Sequence, residues 1–260
     1  MDAVSWLLMH DFSQPVIALA TFELEAGNKF DEHVHDVDQL AWVREGVLMV
    51  TVGSRHWMLP PSLALWIPAG TWHTTTSVRS GTMQGIYLNP RVSAVQWKEP
   101  TVVSVPTLLR EMINYLGADL AEEPRKRAEA LMPDLLQPVS TFTIELPMPS
   151  DSRAIAIAES LLANPADPRD LAAWGLTVGA STRTLSRIFA DETGSGFGQW
   201  RTALRLRAAL AHLAEGAAVS QVATRVGYSS TSAFIAAFRK IAGQTPGAYF
   251  AQLSPQPESA

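Results

Sequence analysis

The hydrophobic pattern of this chain changes period near residue 105, and that change limits the folds open to it. Before it lie "VIALATFEL", "GVLMVTV", "RHWML" and "LALWIP", brief runs rich in β-branched and aromatic residues. Gly, Pro, Asn and Ser clusters separate them, as strands are separated in all-β units. Many short strands at this spacing predict a sandwich or barrel. From "VPTLLREMINYLGADL" onward, Val105, Leu108, Leu109, Met112, Ile113 and Leu116 recur at helical spacing. A second helix is expected over "EEPRKRAEALMPDLLQP", then an extended, proline-punctuated linker over "TFTIELPMPSDSR". Everything after it reads as helical. The expected division is a β unit over 1–100, a helical dimerisation or linker region over 101–150, and an all-helical unit over 151–260.

Charge follows the same division. The net charge is −5, yet residues 151–260 hold ten Lys and Arg against eight acids, while the first 150 hold ten against seventeen. A net acidic module is thus joined to one that tolerates a polyanion. The chain has no cysteine, which excludes disulfides and thiolate metal sites. No apolar run approaches the roughly 18 residues of a membrane helix. "MDAVSWLLMHDF" places acids where a secretory signal has bases, so the expected location is cytoplasmic, with no membrane partner. Six of the eight tryptophans (Trp6, Trp42, Trp57, Trp66, Trp72 and Trp97) precede residue 100. They are expected as core or barrel lining, and such walls would suit an apolar or aromatic ligand.

The β half carries one unusual stretch, "HVHDVDQLAWVREG". In a strand, residues i and i+2 face the same side, so His33 and His35 point one way, and Gln39 shares their parity if the strand is unbroken. A turn at "DVD" would reset it. His73 closes "PAGTWH" downstream, and barrel closure can bring it against that pair. Three imidazoles converging in this way suit zinc, nickel or iron, or else serve as hydrogen-bonded lining. His10, His56 and His212 stand apart and are assigned no chemistry.

Written as spacing, Gly27, five residues, His33, Val34, His35, three residues, Gln39, six residues and Gly46 resembles the first signature of the cupin family. Pro68, Gly70 and His73 resemble its second. The resemblance covers about residues 15–90. It implies a jelly-roll barrel with a divalent metal held by His33, His35, His73 and the residue at Gln39. The family has a glutamate at that fourth position, and Ser77 stands where an asparagine often ends the second signature. Zinc or nickel is expected over catalytic iron, because no carboxylate is supplied.

The helical half holds "DLAAWGLTVGASTRTLSRIFADETG" and "VSQVATRVGYSSTSAFIAAFRKIAGQTP", each a helix, a glycine-bearing turn and a second helix. Ser181 is expected to cap the first of those second helices, and Ser229 or Ser230 the other. Between them "GQWRTALRLRAALAHLAEG" reads as one longer helix. "LSRIFADETG", "RLRAAL", "ATRVGYSSTSAFIAAFRK" and "GQTPGAYF" make residues 151–252 similar to the DNA-binding domain of AraC/XylS-type transcriptional regulators, in which a small cupin barrel commonly precedes that domain. The resemblance implies recognition helices over 181–191 and 230–241. Arg187 then faces base edges with Ser186 and Arg183 beside it, or these arginines touch only phosphates. Ser229, Ser230, Thr231 and Ser232 offer hydroxyls from the second helix, and Arg239 and Lys240 suit the backbone. Leu185, Ile188, Phe189, Val222, Val226, Phe234 and Phe238 are expected in the core.

The expectation is therefore an α+β multidomain chain, a cupin-type jelly-roll β-barrel followed by an all-α domain with two helix-turn-helix motifs. Its expected function is a sequence-specific, non-enzymatic regulator that binds double-stranded promoter DNA as a homodimer and responds to a small-molecule effector or metal in the barrel. The alternatives are a cupin metalloenzyme, a dioxygenase or isomerase, fused to a DNA-binding domain, and a regulator whose barrel only dimerises.

Overall fold

Strict alternation along the strands explains how so apolar a β half stays folded. In the computed structural model, residues 17–91, 93–139, 143–214 and 216–253 are described; Trp6 and His10 lie outside them. The strands are β1 (Ile17–Leu24), β2 (Lys29–His33), β3 (Asp38–Val43), β4 (Val47–Val52), β5 (Arg55–Leu59), β6 (Leu63–Ile67), β7 (His73–Arg79), β8 (Gly81–Leu88) and β9 (Thr101–Ser104). Two short strands, β10 (Gln137–Pro138) and β11 (Ile144–Glu145), complete them. They form two sheets, ordered β1-β8-β3-β6-β9-β10 and β11-β5-β4-β7-β2. The expected barrel is thus a two-sheet jelly roll, not a single closed cylinder.

The six-stranded sheet is buried on both faces, and the sequence shows why. On β3 and β6, Leu40, Trp42, Ala64 and Trp66 join one apolar cluster, while Ala41, Val43, Leu65 and Ile67 join another with Leu48, Val50 and Trp57 of the opposite sheet. The first cluster takes in Leu109, Ile113 and Leu116 of helix α1 (Thr107–Leu116). It also takes in Ala128 of α2 (Glu122–Leu131) and Met132. Strand residues of one parity thus face the other sheet, and those of the opposite parity face the helices. The helix expected through residue 138 ends at Leu131, where Met132–Leu135 tightens into a 3-10 turn around Pro133, whose ring cannot continue the α-helix.

This geometry bears out the expected core placement for Trp42, Trp57 and Trp66 and departs from it at Trp72. Trp42 and Trp66 are fully buried under the helices, with Trp97 edge-on to Trp66 at 5.7 Å, and Trp72 is 57% exposed. Of the tryptophans before residue 100 that the structure describes, Trp57 alone belongs to the cluster between the sheets. An aromatic ligand wall is not what these residues build.

Residues 143–252, with Ser54–His56, form a second compact unit. Its helices are α3 (Ser152–Ala163), α4 (Leu171–Val178), α5 (Thr182–Thr193), α6 (Phe197–Ala214), α7 (Val219–Arg225), α8 (Thr231–Ala242) and α9 (Pro246–Leu253). Side-chain caps start four of them: Asp151, Asp170, Ser181 and Ser230 each accept a backbone N–H from the first turn. Leu146, Trp174, Leu185, Phe189, Trp200 and Leu204 form one core, and the Trp200 indole donates to Pro147 O at 2.7 Å. Phe234 and Phe238 stack edge-on with each other and with Tyr228 and Tyr249 in the other half. All seven core positions expected from the pattern are buried.

Candidate functional site: a histidine cluster and two helix-turn-helix motifs

His33 ends β2 and stands directly opposite His73, the first residue of β7. His35 lies beyond β2, in the bend that leads to β3. Strand parity is therefore not what aligns the three. The second signature is instead tied back onto the first: Gly70 N donates to His35 O at 2.8 Å, and Ala69 N donates to Asp38 Oδ1 at 2.9 Å. The rings converge, with centroids 4.2 Å apart for His33–His73, 5.1 Å for His35–His73 and 6.1 Å for His33–His35.

Each imidazole spends Nδ1 on a nearby carbonyl: His33 on Asp31 O (2.7 Å), His35 on Val37 O (2.7 Å) and His73 on Thr71 O (2.9 Å). A carbonyl only accepts, so the proton sits on Nδ1 and the lone pair on Nε2. Burial holds His73 down to about 3, opposed by its bond to Thr71 and helped by His33 and His35. Burial also lowers His35, against the hydrogen bonds to Gln39 and Val37. Both rings are neutral at pH 7, as ligation requires.

Gln39 has the parity of Ala41 and Val43, so β3 delivers it to the space between the sheets. Its Oε1 lies 3.0 Å from His35 Nε2, and its Nε2 donates to Tyr87 Oη at 3.4 Å. With the His35 proton already given to Val37, two lone pairs face each other. Either the amide turns to donate its NH₂, or one cation accepts both. Ligands at about 2.1 Å on a common ion lie about 3.0 Å apart at a right angle and about 3.4 Å apart at the tetrahedral angle, so the separation is near that of co-ligands. His73 Nε2 is buried with no hydrogen-bond partner. One ligating atom from each histidine lies within 4.8 Å of the others, so the three residues fit a metal ion.

Two neighbours had no sequence signal that singled them out. Asp38 is 6% exposed, its carboxyl pushed up by burial against the Ala69 N–H. Tyr87, cross-strand partner of Gln39, sets its ring perpendicular to His35 at 5.8 Å. Only the pairing of β3 with β8 brings it there.

In the helical unit, α4, a turn at Gly179 and α5 form the first helix-turn-helix. Leu185, Ile188 and Phe189 are buried, while Arg183, Ser186 and Arg187 are exposed on the opposite face of α5. That helix runs two residues past the expected Asp191, to Thr193. The second motif is α7, a turn at Gly227 and α8. Gly227 has φ +86°, and a Cβ there would sit 2.8 Å from Ala166 Cα and 2.7 Å from an Arg205 nitrogen, so only glycine fits. Ser230, rather than Ser229, caps α8: Ala233 N donates to its Oγ at 3.2 Å. Ser229, Ser232, Arg239 and Lys240 are exposed and Thr231 is half-buried. Ser232, Ala236, Arg239 and Lys240 line one shallow hollow with Ile235 and Thr245. The eighteen residues of α6 join the motifs, a span of about 27 Å.

Several cations of this unit serve the fold instead. Arg201 donates to Arg169 O (2.8 Å) and Asp167 O (2.9 Å), and Arg205 to Pro165 O (3.0 Å). Arg153 and Arg169 pair with Asp151 and Asp167. Arg183, Arg187, Arg239 and Lys240 make no ion pair among the described residues.

Comparison with known proteins agrees with both halves. Residues 20–86 match the cupin domain family and residues 175–252 a helix-turn-helix domain family. The chain is 34% identical over 236 residues to the HTH-type transcriptional regulator NimR of Escherichia coli K12, covering 88% of this chain and 85% of that one. It is 30% identical over 214 residues to the regulator RipA of Corynebacterium glutamicum, covering 81% of this chain and 61% of that one. Over 102 residues it is 37% identical to RipA of Corynebacterium diphtheriae, covering 39% and 30% of the two chains. With a cupin domain placed ahead of two capped helix-turn-helix motifs, this chain belongs to the AraC-type transcriptional regulators, which bind DNA through that helical domain.

Proposed function

We propose that the chain is an effector-responsive regulator that reads promoter DNA chiefly through α5 and senses a metal or small molecule at the histidine cluster. The observation that carries the reading is the exposed Arg183–Ser186–Arg187 face of a helix whose opposite face is locked into the core. Arg187 reads a base edge, with Arg183 and Ser186 beside it. Ser229, Ser230, Thr231 and Ser232 contact DNA from the second motif, and Arg239 and Lys240 the phosphate backbone. Ser230 Oγ already accepts the capping bond, which leaves its hydroxyl proton and one lone pair for DNA.

Arg187→Ala is expected to weaken operator binding by about 1–3 kcal/mol and to relax discrimination at one base position. Competition titrations on operator variants and random DNA check this. An equal loss on both would make Arg187 a phosphate contact.

The barrel acts as sensor and not as catalyst. Gln39 replaces the carboxylate of a redox-active iron site, and the buried carboxyl next to it in sequence, Asp38, accepts the Ala69 N–H. Zinc or nickel suits three imidazoles and an amide oxygen. The protein works in the cytoplasm, and no described helix is long and apolar enough to cross a membrane.

A homodimer forms through the 101–150 region. Leu108 and Tyr115 are 58% and 47% exposed, seven residues apart on one face of α1, and Leu131 ends α2 at 43%. The isolated helical unit therefore binds the operator more weakly than the full chain, because bivalency is lost. Its starting point matters as well. A fragment beginning at 151 lacks Leu146, worth about 1.5–3 kcal/mol of burial, and Pro147, which accepts the Trp200 indole. Urea unfolding is expected to show 143–260 more stable than 151–260; equal midpoints would show that the segment adds nothing.

A further inference from the structure

We propose that the jelly roll carries a second ligand site, for a small oxyanion, at the end opposite the histidines. His73 and Arg79 are the first and last residues of β7, about 20 Å apart along the strand. At the Arg79 end, Arg44, Glu45, Gly46, Pro61, Arg79, Ser80 and Arg110 line a hollow of about 350 Å³, within the size range of small-ligand pockets.

The backbone builds it deliberately. Arg44 N donates to Thr82 O at 2.8 Å, and the chain at 44–46 crosses that at 79–81 in direct contact. A Cβ on Gly46 would fall 2.5 Å from Arg79 O, and one on Gly81 would strike Glu45 O. Glycine at both positions lets the two turns close, which sets Arg44 and Arg79 on one rim. Helix α1 supplies Arg110 to the same hollow. One turn further on, Asn114 Oδ1 accepts from the Arg44 guanidinium at 2.7 Å.

Three arginines and one acid, exposed Glu45, line the hollow. None of the three makes an ion pair among the described residues, and Arg110 Nε is buried without a hydrogen-bond partner. A buried donor left open, beside two cationic forks, calls for an acceptor that carries charge. Carboxylate and phosphate oxygens match such forks in a bidentate manner. The ligand is therefore an anionic small molecule presenting one of these groups, held between the barrel turns and α1. Since α1 also carries Leu108 and Tyr115, binding braces the helix of the proposed dimer face. The site itself stands independently of the histidine reading.

Titration of the full chain with inorganic phosphate and with succinate, each against sodium chloride of equal ionic strength, tests the proposal by calorimetry and thermal shift. Saturable binding of at least one anion, absent with chloride, is expected. Arg79→Gln and Arg110→Gln should each weaken it about tenfold, and His33→Ala should leave it unchanged. The preferred anion assigns the head group. Arg79 is exposed, so its variant stays informative even if that of the half-buried Arg110 fails to fold. A response matched by chloride, undiminished binding in both arginine variants, or loss only in His33→Ala would overturn it.

Discussion

Phe189→Ala is expected to cost about 3–5 kcal/mol, a large part of the roughly 5–15 kcal/mol that holds a domain folded. The ring is fully buried at the centre of the first helix-turn-helix, 5.1 Å from Phe197 and 5.4 Å from Trp200 by ring centroids. It fastens α5 from below, so truncation opens a cavity beneath the face that carries Arg183 and Arg187. Operator binding should fall with it, although Phe189 touches no DNA. Urea unfolding separates the two effects: the midpoint drops with an unchanged slope. Ser186→Ala, exposed on the same helix, should stay within about 0.5 kcal/mol in stability. A loss below about 1 kcal/mol for Phe189→Ala would mean that the core closes over the gap and that α5 does not depend on this anchor.

How much of this was legible before the structure depends on the range of the interaction. The helix-turn-helix motifs are local: Ser181 caps a residue three positions on, and Leu185, Ile188 and Phe189 follow from helical spacing alone. The histidines were also legible, but for an incomplete reason. His35 joins His33 through a bend pinned by Gly70 and Asp38, which are long-range bonds that no period reveals. The same blindness hid Tyr87. It left open which face each core tryptophan would take, because a sheet buried on both faces reads as uniformly apolar and does not say which face is which. Charge counting does not tell which cations serve the fold: Arg201 and Arg205 are spent on the carbonyls of the 165–169 segment. The arginine hollow had no local signature at all, because its three guanidiniums come from a strand end, a turn and a helix.

The histidine cluster offers the other large effect. The full chain, purified without chelators, is expected to hold one zinc or nickel ion, and His73→Ala should weaken binding about 100-fold or more. Loss of outer partners alone commonly costs 10–100-fold, and His73 offers a buried Nε2 with no other partner. Gln39→Glu should tighten binding, because a carboxylate is a stronger ligand than an amide and restores charge balance beside three neutral rings. Stability should follow occupancy: at free metal 100 times Kd the bound ion contributes about 2.7 kcal/mol, which a chelator removes. His73→Ala should lose that chelator response while the arginine hollow still binds its anion, so the two sites report separately. Metal bound as tightly by His73→Ala as by the parent would place the ion elsewhere. A parent chain that takes up neither metal would leave the Nε2 atoms of His33 and His73 as acceptors for an organic effector, with the Gln39 amide turned to donate to that of His35.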